Sequence, residues 1–380
     1  MSGDTSDPAA HPAAALRPLH IVQIGFDDTI FQSEAPSDTL RRQQDYTQEL
    51  VKQRPGSAMT VIMLTNNTAV RSIDDGSLQV LPISARSLRR WPALYALLRR
   101  LHAARPIDVI ATQSIHMDAW VALWFGAWHA APVVGQVHYD LFAPTARRDA
   151  LGPGPVGALR QAISLRLLRR MAAVRAVSQG LEPKLRAAGA RQVAVIPVPV
   201  TMASGPLQLP ASREPLVLYV GRLVAQKNLG LWLQVAQQVA LRVPYARFEI
   251  VGDGPLRQSL ELEALRLGLA GRIRFTGPVA YADLDQVYGR ASVFLLTSLY
   301  EGLVRVAVEA ALHAMPIVAT EIGGVRDIIT HGETGFLAAP GDAAALAASV
   351  IRLLEDSNLR NEIGRRGQQS VRERYDPRRL

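Results

Sequence analysis

From Leu19 onward, short apolar runs alternate with longer segments whose apolar positions recur at helical intervals. The runs are Ile21–Ile24, Thr60–Leu64, Val109–Ala111, Val133–Val137 and Val193–Ile196, and the helical segments span 38–52, 87–104, 116–130 and 157–172. Runs of β-branched and aliphatic residues joined by helices imply parallel strands buried on both faces, the pattern of a doubly wound α/β domain. Ile196-Pro-Val-Pro-Val200 ends this series, and Pro206, Pro210 and Pro215 follow it. Proline cannot donate to a ladder, so residues 201–214 read as a linker. The pattern then restarts. Strands are predicted at Leu216–Val220, Arg247–Val251, Ile273–Thr276, Val293–Leu296 and Ile317–Ala319, with helices at 228–242, 255–268, 281–289, 303–313, 343–355 and 358–374. Two Rossmann-like domains result, 18–200 and 215–380, facing a central cleft where ligands bind.

Composition narrows the class. The chain has 380 residues, 48% of them hydrophobic, enough for two cores. It has no cysteine, which excludes disulfides, thiolate metal sites and cysteine nucleophiles. Residues 1–17, rich in Ala, Pro, Asp and Ser, read as a disordered leader without the features of a secretory signal. The longest apolar stretch, Ala119–Val134, is broken by His129 and Pro132. It falls short of the roughly 18 residues of a membrane span and reads as a buried helix running into a strand. The net charge of +9 is uneven: residues 1–200 hold 22 Lys and Arg against 15 Asp and Glu, and residues 201–380 hold 20 against 18. A basic amino-terminal half suits an anionic membrane, an anionic substrate or nucleic acid. Nucleic acid is set aside, because aromatics are only 6% and no recognised module is present.

Two stretches carry candidate chemistry. In Tyr219-Val-Gly-Arg-Leu-Val-Ala-Gln-Lys-Asn-Leu-Gly230, an apolar strand ends at Gly221, Arg222 and Lys227 follow, and Asn228 is placed to cap the next helix. Strand ends in such sheets face the ligand crevice. A guanidinium and an ammonium there make a clamp for a diphosphate; two solvated cations beside a turn are an equal alternative. In Thr297-Ser-Leu-Tyr-Glu-Gly-Leu-Val-Arg-Val-Ala-Val-Glu-Ala310, a second strand ends and Glu301-Gly302 opens a helix containing Glu309. Amides at a helix start hold phosphate oxygens. Glu301 is placed either for sugar hydroxyls or as a helix cap. Glu309, about two turns on, is placed either for ribose hydroxyls or as an exposed helix glutamate. Its apolar neighbours favour a buried carboxylate that needs a partner.

Together, VGRLVAQKN and EGLVRVAVEA resemble glycosyltransferase family 4, which has the GT-B fold. Pro316–Asp327 and Gly332–Asp342 resemble the family's following strand, glycine turn and loop, and the likeness covers about 216–375. The resemblance implies a nucleoside diphosphate sugar as donor, UDP- or GDP-linked, with retention of anomeric configuration and no metal or other cofactor. It places Arg222 and Lys227 on the diphosphate, Glu309 on the ribose and Glu301 on the transferred sugar. The amides of Gly302, Leu303 and Val304 approach the donor, and the base lies near Gly277, Pro278 and Val279. Leu303-Val304-Arg305 stands where many relatives carry a second glycine.

The amino-terminal half resembles the family less closely. In Gln136-Val-His-Tyr-Asp140, His138 occupies a position that faces the donor sugar, with a structural histidine as the alternative. Gly25 follows the first strand where relatives often carry two glycines, and is the residue there that approaches the phosphates. Ala173-Val-Arg-Ala-Val-Ser178 resembles the family's last strand in this half, and Arg42 suits either an acceptor or solvent. The fold's last helix crosses back to the first domain; that crossing would begin at Tyr375-Asp-Pro-Arg-Arg-Leu380, where Pro377 suits a break between helices. Residues 86–100 and 159–170 are basic and amphipathic. Each alone is expected to pack on its sheet; with the half's charge they suggest weak contact with an anionic membrane surface. The reading is a cytoplasmic enzyme, peripheral on the inner face of a membrane, that acts on a glycan or lipid-linked acceptor in polysaccharide assembly. The alternatives are a GT-B epimerase or hydrolase acting on a nucleotide sugar, and a degenerate transferase that only binds.

Overall fold

The computed structural model describes residues 16–26, 28–31, 38–67, 70–84, 89–198, 200, 213–280 and 283–375. Most of the expected leader 1–17, the linker 201–214 except Arg213 and Glu214, and the expected crossing after Tyr375, with Pro377, lie outside these residues. The chain divides into two compact units, one of Met1–Gln113 with Trp120–Val133, the other of Ser114–Ala119 with Val134–Leu380.

Elements alternate as the apolar pattern predicts. In the first half these are β1 (His20–Gly25), α1 (Asp38–Gln53), β2 (Ala58–Thr65), β3 (Ile73–Asp74), β4 (Leu78–Ser84), α2 (Arg90–Ala104), β5 (Val109–Thr112) and α3 (Met117–His129). They are followed by β6 (Val133–Val137), α4 (Pro144–Leu151), α5 (Gly154–Leu168), β7 (Ala173–Ala176), α6 (Glu182–Ala187) and β8 (Val193–Val195). The second half begins with β9 (Leu216–Val220), α7 (Leu229–Arg242), β10 (Arg247–Val251), α8 (Arg257–Arg266), β11 (Ile273–Gly277), α9 (Leu284–Arg290) and β12 (Val293–Leu296). It ends with α10 (Arg305–Leu312), β13 (Ile317–Thr320), α11 (Gly323–Arg326), β14 (Gly335–Ala338), α12 (Ala343–Glu355) and α13 (Ser357–Tyr375). The strand orders are β3-β4-β2-β1-β5-β6-β7-β8 and β11-β10-β9-β12-β13-β14. Both orders reverse direction after a central strand, as doubly wound parallel sheets do; the pairing of β3 with β4 is antiparallel.

In the first unit, successive residues of β2 enter opposite layers. Val61 and Met63 pack with Ile30, Leu40 and Val80. Ile62 and Leu64 pack with Leu94, Leu98, Val121 and Phe125. That is the period of two of a strand covered on both faces, and each such side chain contributes about 1.5–3 kcal/mol. In the second unit the core runs from Val200 to Tyr375 around Trp232, Tyr219 and Phe248, and Trp232 Nε1 donates to the Leu295 carbonyl at 3.1 Å.

Several elements fall outside the sequence pattern. In β4, Leu-Gln-Val-Leu-Pro-Ile-Ser, a proline interrupts the run, yet Pro82 pairs opposite Met63. It is tolerated because β3 covers the other edge only at Gln79 and Val80. β14 lies in the segment read as a loop and pairs with β13 from Ile317↔Gly335 to Thr320↔Ala338. The expected buried helix over 116–130 is α3, but it is buried on one face only, with Trp120, Trp124 and Trp128 exposed. α5 likewise leaves Val156, Leu159 and Ile163 exposed and buries Gly157, Ser164, Leu167 and Leu168.

Candidate functional site

In the second unit, three glycines line the carboxyl ends of adjacent strands. Gly221, after β9, donates its amide to Val251 at 3.0 Å, and Gly252, after β10, donates to Gly277 at 2.8 Å. Gly252 has φ +127, and a Cβ there would lie 2.0 Å from the Gly221 carbonyl oxygen, so no other residue fits. Pro278 is exposed and Val279 half-buried just beyond Gly277. Arg222 stands exposed at the end of β9, and among the described residues its guanidinium has no hydrogen-bonded or ion-paired partner. Its carbonyl accepts from the buried Tyr219 hydroxyl at 3.0 Å. Burial holds that phenol well above its usual range, and the negative charge of Glu301 adds to the shift.

Residues Ala225–Lys227 form a 3-10 turn, and Asn228 follows with φ 47 and ψ 50. This corrects one expectation: Asn228 occupies the N-cap of α7, but in left-handed conformation, and its side chain makes no capping bond. Side-chain capping typically comes from an N-cap backbone in the β region; here asparagine serves by tolerating positive φ.

The loop after β12 is bonded to this turn. Thr297 Oγ1 donates to the carbonyls of Lys227 and Asn228 at 3.0 and 3.1 Å. The Leu299 amide donates to the Gln226 carbonyl at 2.9 Å, and Gln226 Nε2 donates to the Tyr300 carbonyl at 3.0 Å. Lys227 Nζ donates to Glu301 Oε1 at 2.5 Å, with side chains only 14% and 7% exposed. The two stretches, read apart in sequence, are thus one unit closed by a largely buried ion pair. Glu301 does not cap the helix: α10 begins at Arg305, its N-cap is Val304, and no side chain caps it. Val304 has φ −89 and is buried in the core. The glycine that many relatives carry here is not required by this backbone, because the residue takes a negative φ.

Gly302 is pinned between two backbones. A Cβ on Gly302 would lie 1.7 Å from the His138 carbonyl oxygen, and a Cβ on Gly324 would lie 1.5 Å from the Gly302 carbonyl oxygen. The structure therefore brings together Lys227, Glu301, Gly302 and the backbone of His138, with half-buried Leu303 following in the chain. Glu309 is bonded elsewhere. It is buried, its Oε2 accepts from the Tyr288 hydroxyl at 2.9 Å, and Arg305 lies 3.5 Å from Oε1. Gly25 belongs to the other unit, where a Cβ would lie 2.3 Å from Gln113 Oε1, the end of a side chain that can move aside. Arg42 lies on α1, where it donates to Thr39 Oγ1 at 3.2 Å.

A polar network next to His138 was not legible in the sequence. The Tyr139 hydroxyl meets His116 Nε2 at 3.1 Å, and His116 Nδ1 meets Ser164 Oγ at 2.9 Å. Ser114 Oγ donates to the fully buried Asp118 at 2.5 Å. Burial lowers the His116 pKa, helped by Arg160, and raises that of Asp118. Tyr300 donates to Asp149 Oδ2 at 2.8 Å. The signal for His116 was its place just beyond a strand end; nothing marked Ser164, in the middle of a helix, as its partner. Among the described residues no group of three or more His, Asp or Glu side chains is arranged to hold a metal ion.

Two family models match the chain: "Glycosyl transferase 4-like domain" over residues 43–201 and "Glycosyl transferases group 1" over 208–370. The chain is 30% identical over 287 residues to a 2-deoxystreptamine glucosyltransferase of Streptomyces kanamyceticus, covering 70% of each. It belongs to the glycosyl transferases group 1 family. A 2-deoxystreptamine N-acetyl-D-glucosaminyltransferase of Niallia circulans is 32% identical over 143 residues, which are 38% of this chain and 37% of that relative's length. The Anabaena protein HepE, solved with UDP and glucose, superposes with a TM-score of 0.70 at 22% identity, covering 94% of this chain and 95% of that one. The fold of this group 1 glycosyltransferase is accordingly GT-B, two parallel-sheet domains of α/β type.

Proposed function

We propose that this chain transfers a sugar from a nucleoside diphosphate sugar, UDP- or GDP-linked, to a glycan or lipid-linked acceptor, with retention and without a metal ion. The observation that carries the reading is the Lys227–Glu301 pair, closed at 2.5 Å between the two strand-end loops. A largely buried ammonium beside an exposed guanidinium, Arg222, is matched to a diphosphate, which offers Lys227 a denser anion than a single carboxylate. As the bond to the sugar breaks, charge gathers on the leaving diphosphate, and these two cations stabilise it, the task a metal ion performs in other enzymes. Glu301, released from Lys227, then accepts hydrogen bonds from hydroxyls of the transferred sugar. The amides of Gly302, Leu303 and Val304 flank the same position, the backbone edge at Pro278 and Val279 receives the base, and His138 faces the sugar from the end of β6. Glu309 meets the ribose by exchanging its bond to Tyr288. HepE, solved with UDP and glucose, supports a UDP-linked donor. The lipopolysaccharide core biosynthesis glycosyltransferase LpsE of Rhizobium meliloti, 29% identical over 165 residues, supports an acceptor in surface polysaccharide assembly.

The test is calorimetric binding of UDP and of GDP in chelator, on the wild type, Lys227→Met and Glu309→Gln. One nucleotide should bind, and each variant should weaken it by about tenfold or more, the worth of a charge-assisted hydrogen bond. If the folded wild type binds neither nucleotide, the donor site is misassigned.

A further inference from the structure

α3 reads Met-Asp-Ala-Trp-Val-Ala-Leu-Trp-Phe-Gly-Ala-Trp-His, apolar all round between Asp118 in its first turn and His129 at its end. Such a helix is normally buried all round. Here Ala122, Val121 and Phe125 face the core, while Trp120, Trp124 and Trp128 are 46, 47 and 74% exposed. Spaced four apart, they lie along one face about one turn from each other. Trp120 stacks on Trp124, with ring centroids 5.9 Å apart. Trp124 stacks on Tyr95 of the neighbouring α2 at 4.4 Å, so the aromatic face continues across two helices. Isolated exposed apolar side chains are ordinary; a contiguous aromatic patch marks an interaction surface.

The charge around the patch identifies what covers it. α2 contains no acidic residue, and the one carboxylate of α3, Asp118, is fully buried. Arg99, one turn beyond Tyr95, and Arg100, next to it in the chain, are exposed, with no ion-pair partner among the described residues. Tryptophan is amphipathic and settles at the boundary between headgroups and acyl chains, and arginines beside it meet anionic headgroups. A second copy of this chain would bring arginine against arginine at such a patch. We infer that the face formed by Trp120, Trp124, Trp128 and Tyr95, flanked by Arg99 and Arg100, is a docking surface for an anionic lipid bilayer. The helix lies on the membrane and does not cross it, since no helix is long and apolar enough to span one among the described residues. The inference does not rest on sugar transfer, because vesicle binding needs no donor and either reading can fail alone.

Flotation of the full chain with vesicles tests it, comparing phosphatidylcholine alone with mixtures containing phosphatidylglycerol. The chain should float with the anionic vesicles, less so as salt rises, and lipids brominated near the headgroup should quench its tryptophan emission. Trp128→Glu, at the most exposed position, should abolish flotation while the circular dichroism spectrum is kept. Arg99→Glu with Arg100→Glu, which leaves the aromatic face intact, should weaken binding by about fivefold or more per arginine. The proposal is overturned if the wild type does not float with anionic vesicles at low salt, or if both variants float as it does. It is also overturned if sedimentation shows a dimer that Trp128→Glu dissociates, which would make a second copy the occupant.

Discussion

At Gly302 the space for a side chain is absent on chemical grounds that need no ligand. A Cβ would lie 1.7 Å from the His138 carbonyl oxygen and 3.1 Å from Val177 Cγ2. The nearer atom is backbone, so the obstacle cannot rotate away. Gly302→Ala should lower stability by about 1–3 kcal/mol, the cost of overpacking, and should weaken nucleotide binding by displacing Glu301. Gly323→Ala serves as the control: no atom lies within 4 Å of the added methyl, and alanine favours the short helix it joins. Urea melts of the two variants decide the point, and equal stability would remove the steric argument. The places of Arg222, Lys227 and Glu301 just beyond strand ends were legible from the apolar runs that precede them. Their partnership was not legible, since Lys227 and Glu301 are far apart in sequence and no local pattern joins a turn after one strand to a loop after another.

At the scale of elements, the alternation of apolar runs and helical segments placed most strands and helices, because parallel strands covered on both faces must be apolar throughout. What it missed has local causes. β4 carries a proline permitted only by the shortness of β3, and β14 is a glycine-led edge strand that sequence presents as a loop. α3 was read as buried because its composition is apolar; composition cannot tell a face that packs on protein from one left to meet another surface. The loops that matter are likewise tied by element pairing: β9 and β12 are neighbours in the sheet, so the segments that follow them meet. The Lys227–Glu301 pair is the charged member of that union, and removing one partner leaves the other buried and uncompensated. Lys227→Met and Glu301→Gln should each cost about 3 kcal/mol, and the double variant should cost less than the two together. A double-mutant cycle by chemical denaturation measures the difference. Additive losses would mean that the pair is closed in the structure without contributing to stability.

Over the whole molecule, His20 in the first compact unit and His116 in the second are each held below the usual histidine range by their surroundings. In the first unit, His20 Nδ1 donates to the Arg105 carbonyl at 3.1 Å, which leaves Nε2 to accept from Thr60 at 3.0 Å. In the second, His116 lies between Ser164 and Tyr139. Burial is the leading cause that lowers both pKa values below 6.5, and it outweighs the opposing charge of Asp108 near His20. A histidine with a depressed native pKa is neutral in both states above 6.5 and leaves stability unchanged there. Below 6.5 the unfolded chain gains a proton that the native state resists, so stability falls as pH drops toward the native pKa. Asp118 acts in the opposite sense: its raised native pKa favours the fold where the carboxyl is protonated, and that contribution is lost as pH rises through the native value. It therefore softens the acid loss in the second unit and leaves the first untouched. Melting temperature should fall from neutral pH downward, and His20→Gln and His116→Gln should each flatten part of the slope. Because the two histidines share no hydrogen-bond partner, the double variant should flatten it by the sum. Thermal melts across this range, run on the four proteins, give the slopes; variants whose slopes below 6.5 match the wild type's would show that neither histidine resists protonation.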